Sequence, residues 1–339
     1  MAKQGRIVHE GNGLNRDFIA MTLPLYLMAL FYSGPRVLLL ALIGVVTARL
    51  CDRLAAMLRA RRYDATENSS VVVALIIVLM MPVTVRFRVV VAAVLVAVLV
   101  AKEAFGGYGS YPFNPAAVGY CVASVSWPDE MLHYPAPLNW MYLRQPSMEQ
   151  LLRLWRFEDA TLLSGPSATL RAGGLPKIDT WNLLLGNYVG PLGVTCALVI
   201  VACAVFLVIK KRMSLVAPAC FLATCALIAF IFPRFTEISF QTWPQDILDR
   251  LQVVKFEILT GATLFAAVFL VPEPVTLPKN TLSKVIYGVL LGLAAMLFRY
   301  YGTYDLGICF SFLIVNAISG YFDRAIARGF ANRKGAVNP

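Results

Sequence analysis

Charge is scarce in this chain, and its scarcity removes most function classes. Only 14% of the 339 residues are Asp, Glu, Lys or Arg, against 59% hydrophobic, and the mean hydropathy is +0.69. A soluble fold of this length cannot hide that much apolar surface, which excludes two or three cytosolic domains and points to a polytopic membrane protein. Histidine is almost missing: His9 and His133 both stand outside the apolar runs, so a membrane haem held by two histidines has no ligands. No CxxC pair occurs. Cys51, Cys121, Cys196, Cys203, Cys220, Cys225 and Cys309 lie in or beside apolar runs, where small buried packing residues are expected. Basic runs interleaved with aromatics are also missing, which sets nucleic acid aside as a partner. The first sixteen residues are polar and no small-residue cleavage site follows, so no cleavable signal peptide is expected.

What the chain does have is apolar runs. Ten are of membrane-spanning quality: Phe18–Tyr32, Val37–Leu50, Ser69–Val85, Val89–Ala101, Asn114–Trp127, Val189–Ile209, Ser214–Pro233, Ile258–Val271, Val285–Phe298 and Leu306–Phe322. Several fall short of the roughly twenty residues that a simple crossing takes. The fifth opens at Asn114-Pro115 and the eighth ends at Pro272, a pattern of broken or half-inserted helices. Interrupted backbone is tolerated at membrane depth where it lines a site or packs against protein.

The net charge of +11 gives the orientation. With a cytoplasmic N-terminus, 18 of the 30 Lys and Arg fall on inner segments and 12 on outer ones, of which only 7 lie in short loops. Short loops rich in cations stay inside, so both termini are expected in the cytoplasm and the long 128–188 loop outside. No ionisable residue falls near the middle of a span, which argues against a self-sufficient pump with a carboxylate relay. Lys102, Glu103, Glu257, Glu273, Arg299 and Asp305 stand at span ends, where snorkelling or helix-end pairing is the default and an ion gate the alternative.

The two halves resemble each other. Pro82-Val83-Thr84 closes the third span and Pro274-Val275-Thr276 the eighth; Tyr108-Gly109-Ser110-Tyr111 precedes the fifth and Tyr301-Gly302-Thr303-Tyr304 the tenth. The offsets are 192 and 193 residues. Five spans per half flip the second copy, giving an inverted-topology repeat. The expected fold class is an all-α polytopic membrane protein of about ten transmembrane helices in two inverted five-helix repeats. Its parts are a cytoplasmic N-terminus (1–16), a first repeat (17–127), an outward periplasmic loop (128–188), a second repeat (189–322) and a cytoplasmic tail (323–339).

The run Phe105-Gly106-Gly107-Tyr108-Gly109-Ser110-Tyr111-Pro112-Phe113-Asn114-Pro115-Ala116-Ala117-Val118-Gly119 resembles the FGG-x-G-x-N-x-FNPA-x-x-G stretch of one membrane-subunit family. Its members are NqrB of the sodium-pumping NADH:quinone reductase (Nqr) and RnfD of the Rnf ion-translocating oxidoreductase. Gly261-Ala262-Thr263 through Glu273-Pro274-Val275-Thr276-Leu277-Pro278 is similar to the family's GGT…DPVT-x-P. Arg299-Tyr300-Tyr301-Gly302-Thr303-Tyr304 with Asn316-Ala317 is similar to its R-x-x-G-x-Y…NA segment. The likeness covers roughly residues 20–325, and the length favours the shorter, RnfD-like branch.

The resemblance implies an electron-transport flavoprotein with FMN joined through its phosphate to a threonine of the outward loop, and a noncovalent riboflavin. It also implies partner subunits of a translocase complex, a separate flavin transferase and a bacterial cell inner membrane. The attachment motif, usually D-x-x-[ST]-G-A-T-P-L, is altered here. Thr169, in Ser167-Ala168-Thr169-Leu170, is the nearest match, although Asp159 is too far upstream; Ser167 is the alternative attachment position. A Gly/Ser/Pro-rich loop without flavin is the third reading. Thr260-Gly261-Ala262-Thr263 reproduces part of the motif at the start of an apolar span, where a transferase could hardly reach, and is read as a decoy.

Gly106, Gly107 and Gly109 either bring backbone close to a ring or a neighbouring subunit, or simply permit tight helix packing; Asn114 is grouped with them as flavin-proximal. Trp127, Trp181 and Trp243 are read as interfacial anchors. The expected function is electron transfer through flavins within an Rnf-like or Nqr-like complex, coupled to Na+ or H+ movement. The alternative is a flavin-free small-molecule transporter, or an accessory protein of a biosynthetic cluster like the enediyne-associated UnbU relatives. No residue is expected to be catalytic and no metal is expected.

Overall fold

The computed structural model describes residues 2–60, 63–64, 66–137, 162–163, 165–211, 213–234, 247–303 and 306–335. Asp159, Ser164, Trp243, Tyr304 and Asp305 lie outside the described residues.

The described residues are predominantly helical. The one described β-pair joins β1 (Tyr134–Pro135) antiparallel to β2 (Leu162–Leu163) within the long loop. The first helix, α1 (Ala2–Ser33), runs through the polar stretch expected to stand apart as an N-terminal segment. Gly34, at φ 78°, turns the chain into α2 (Arg36–Leu58). Then come α3 (Ser69–Met80), α4 (Phe87–Leu95) with its π-helical continuation Val96–Glu103, α5 (Pro115–Ser126) and α6 (Pro128–Met131). After the loop helices α7 (Pro166–Arg171) and α8 (Thr180–Leu185) follow α9 (Ala197–Ile209) and α10 (Val216–Ile231). The chain ends with α11 (Ile247–Leu259), α12 (Thr263–Phe265) continued by a π-turn Ala266–Leu270, α13 (Thr281–Tyr301) and α14 (Ile308–Gly335).

Among the described residues, α13 alone is long and apolar enough for one straight crossing; α11 with the 263–270 helix makes a second if that pair, bent by 59°, counts as one span. The apolar helices α3 and α5 have 12 residues each. At 1.5 Å per residue they rise about 18 Å, well short of a hydrocarbon core of about 30 Å. Their ends therefore fall inside protein and leave backbone groups that need partners.

Those partners come from the other half of the chain. The carbonyls of Leu79 and Met81, at the end of α3, accept from the amides of Gly193 (2.8 Å) and Leu192 (3.2 Å). The Leu270 carbonyl, at the end of the π-turn, accepts from Asn114 Nδ2 at 3.2 Å. One hydrophobic core runs through both halves, from Phe18 and Leu25 of α1 to Cys309 and Phe312 of α14.

Helix contacts use small residues, as expected where apolar surface alone gives no preference between lipid and protein. On α13, Gly288 and Gly292 stand one turn apart; a Cβ on Gly288 would lie 2.6 Å from the Ala217 carbonyl, and one on Gly292 2.7 Å from Thr224 Cβ. Helix α10 therefore packs against α13 almost backbone to backbone. Gly292→Leu is expected to cost about 2 kcal/mol or more through overpacking, lowering the melting temperature in detergent. Gly320→Ala, whose added Cβ meets nothing within 4 Å, is expected to leave that temperature unchanged.

Candidate functional site

Polar groups gather in three places. The first is a cavity where the halves interlock, with about 40 Å³ of room for water-sized groups. Phe18 and Phe269 wall it, their rings 6.2 Å apart and edge to face. Asn15, Ser69, Tyr108, Tyr111, Asn114 and Glu273 supply its polar rim. Asn114 is the N-cap of α5: its Oδ1 accepts from the amides of Ala116 (3.0 Å) and Ala117 (3.4 Å) while its Nδ2 reaches Leu270. Capping by Asn with Pro at the next position is a strong helix start, which is why Asn114-Pro115 breaks the backbone where it does. Glu273 likewise holds the turn after the π-helix, accepting from the Thr276 amide (3.0 Å), Thr276 Oγ1 (2.9 Å) and, from the other half, Tyr111 Oη (2.5 Å).

The second is an ion cluster at the start of α3. Lys102, only 1% exposed, donates to Glu67 Oε1 (2.6 Å) and Ser70 Oγ (2.8 Å), and lies 3.4 Å from Glu103 and 3.6 Å from Asp52. Arg59 pairs with Glu103 at 2.9 Å, and Arg49 bonds Asn68 and the Glu67 carbonyl. Three cations meet three carboxylates, so the cluster is balanced. In the adjoining loop the Thr66 hydroxyl and amide hold the exposed Asp64 carboxylate below its usual range and keep it charged.

The third lies where α11, α12 and α13 meet. Arg299 pairs with the buried Glu257 and donates to Thr260 Oγ1 (2.9 Å) and Thr263 Oγ1 (3.4 Å). Ile308 adjoins Arg299 in a small cleft, and the next residue, Cys309, touches Met80 at the end of α3. The Lys102 and Arg299 clusters therefore lie toward opposite ends of α3.

The expected residues distribute unevenly over these places. Asn114 lines the cavity. Gly106, Gly107 and Gly109 do not; their φ values of 114°, 89° and 91° belong to a turn few other residues make. A Cβ on Gly107 would lie 3.6 Å from the Glu103 carboxylate and 3.7 Å from the Arg59 guanidinium, so its neighbour is the ion cluster. Thr169 is exposed on α7, whereas Ser167 is buried and faces Gly261. Thr263, 3% exposed behind Arg299, is as inaccessible as its sequence position implied. Trp181 is 71% exposed and Trp127 packs against the core. Sequence reasoning did not pair Tyr111 with Glu273, although Tyr111 closes one repeated motif and Glu273 immediately precedes the other. It also passed over Arg171 and Arg234, which hold α7 in place.

Interlocked broken helices with π-turns, satisfied across two halves, make the described residues an all-helical fold apart from one short β-pair. The sequence matches the NQR2, RnfD, RnfE family over residues 8–330, and the chain belongs to that family. It is 29% identical over 322 residues to the D-type subunit of the ion-translocating oxidoreductase complex of Mannheimia succiniciproducens, covering 88% of this chain and 87% of that protein. It is 27% identical over 332 residues to the corresponding protein of Escherichia coli O127:H6, covering 90% of each.

Asn114 allows a graded test of the interlock. Asn114→Ala removes the cap and leaves the Leu270 carbonyl unpaired, an expected loss of about 2–3 kcal/mol. Asn114→Ser keeps an uncharged capping oxygen and gives up the donor that reaches Leu270, so its melting temperature in detergent should fall between those of Asn114→Ala and the parent.

Proposed function

We propose that this chain is the membrane electron-transfer subunit of an Rnf-type ion-translocating oxidoreductase in the bacterial inner membrane, with FMN carried on Thr169. The family match over residues 8–330, and relatives named as a subunit of an ion-translocating oxidoreductase complex, support the role in a complex. The observation that carries the attachment assignment is the contrast within α7: Thr169 is exposed, while Ser167, two residues away, is 5% exposed and turned against the protein. A flavin transferase needs a hydroxyl it can reach, and the small residues Ser167, Ala168, Ala172, Gly173 and Gly174 stand near Thr169 in the chain. FMN would supply the redox chemistry, accepting and passing on electrons. The chain's own part is to hold the attachment helix at the surface, keep Ser167 and Thr263 out of reach, and keep charge out of the span interiors. Electrons would enter and leave through partner subunits, their passage coupled to Na+ or H+ movement.

The same reading includes ten spans in two inverted repeats. Its supports are the 192- and 193-residue motif offsets and a matched pair of ion contacts. In the first half a cation ending the fourth span, Lys102, meets an acid before the third, Glu67. In the second half Arg299, ending the ninth, meets Glu257 before the eighth. The ends of α2 and α4 approach through Arg59 and Glu103, as those of α10 and α13 do through Tyr300 and Phe232.

In-gel flavin fluorescence of the denatured protein, produced with a flavin transferase, tests the attachment. The expected result is a fluorescent band lost in Thr169→Ala and kept in Ser167→Ala. Fluorescence that survives Thr169→Ala would overturn the assignment, and a colourless protein that moves a solute in liposomes would favour the flavin-free transporter.

A further inference from the structure

Helix α7 has six residues, far fewer than the dozen or more that an isolated helix needs to persist in water. Something must hold it, and the contacts around it are specific. Arg171 Nη1 donates to the Gly302 carbonyl at 3.0 Å, placing a cation at the C-terminal end of α13, where the helix dipole favours one. Arg234, just beyond α10, bridges the two elements: Nη2 donates to the Arg171 carbonyl (3.0 Å) and Nη1 to the Arg299 carbonyl (3.3 Å). Its guanidinium lies 5.1 Å from the Tyr300 ring centre, and Tyr300 Oη in turn donates to the Phe232 carbonyl at 3.0 Å.

The underside of α7 is fitted as closely. Gly261 has φ +68°, and a Cβ there would fall 3.1 Å from Ser167 Oγ and 2.6 Å from Arg299 Nη1. Leu170 is buried with Leu183, Tyr188 and Phe256. Ser167 and Leu170 thus face the protein while Thr169 faces away.

We propose that Arg171 and Arg234 are positioning residues that clamp α7 onto the end of α13, making Thr169 a fixed mount rather than the tip of a swinging loop. The consequence for electron transfer rests on the reading that Thr169 carries FMN; the clamp itself does not. A flavin on a fixed mount keeps one distance to its neighbouring carrier, and electron tunnelling falls steeply with distance. A long unclamped loop would spread that distance and require diffusion of the loop at each transfer.

The experiment attaches a nitroxide at Thr169→Cys in the full chain in nanodiscs, with Cys220, the one native cysteine that is not buried, replaced by Ala. The electron paramagnetic resonance spectrum is expected to be dominated by a motionally restricted component. Adding Arg234→Ala or Arg171→Ala should make a mobile component dominant, with Arg234→Lys intermediate because one ammonium cannot span both carbonyls in the same geometry. In parallel, Arg234→Ala with Thr169 intact is expected to keep its covalent flavin fluorescence, since attachment needs reach and not rigidity. A mobile spectrum in the parent overturns the clamp outright, whether or not any variant folds. A restricted spectrum unchanged in both arginine variants overturns the role of these residues. A restricted label in a chain whose Thr169 never carries flavin upholds the clamp and overturns only the attachment reading.

Discussion

A helix that stops inside a membrane leaves carbonyls and amides with no water to satisfy them, and the rest of this structure depends on how those groups find partners. Helix α3 ends at Met80 and the second half's counterpart ends at Leu270, each before a Pro-Val-Thr turn. Amides of residues 192 and 193 cover the first end, and Asn114 covers the second. Each broken helix thus has end carbonyls completed by groups of the other half, and the halves interlock at these points. Tyr111 and Glu273 join the same seam.

The seam also explains where charge is allowed. Away from it, two groups of ionisable residues stand at helix ends in compensated clusters: Lys102 among three carboxylates, Arg299 with Glu257 and two threonine hydroxyls. Removing one member of such a group strands the others, which is more costly than the pair is favourable. Each group ties the start of a broken helix to the end of the helix that follows it in the same half. The clamp on α7 is built on the second of these groups, so the loop helix inherits its position from the membrane domain beneath it.

Much of this was legible in the sequence because it follows from composition and punctuation. The apolar runs, the Asn114-Pro115 start and the repeated PVT and YG motifs mark the helices and the breaks, and the motifs carry the family. The decoy threonine, Thr263, could be set aside from its place in an apolar run. Other features were hidden for physical reasons. Helicity through residues 2–16 and 323–335 continues beyond the apolar stretches, and polarity gives no signal to extend it. Gly106, Gly107 and Gly109 stayed open in the sequence between close approach to a ring and tight packing, because a glycine's sequence does not say whether it serves a turn or a ligand; their positive φ values show the turn. The contrast in exposure between Thr169 and Ser167, on which the proposed attachment rests, depends on Gly261, some ninety residues further along. The contacts of Arg171 and Arg234 go mostly to backbone carbonyls, and an acceptor that every residue carries leaves no trace in sequence.

Two halves of opposite orientation would present the Lys102 and Arg299 clusters to opposite faces of the membrane, and on that the whole architecture turns. Labelling of single introduced cysteines in intact cells with a membrane-impermeant maleimide tests it directly, using two exposed positions, Thr66→Cys beside the first cluster and Thr169→Cys beside the second. Thr169→Cys is expected to react in intact cells, and Thr66→Cys only after the membrane is opened. Equal reaction of both positions from the same side would contradict the inverted arrangement.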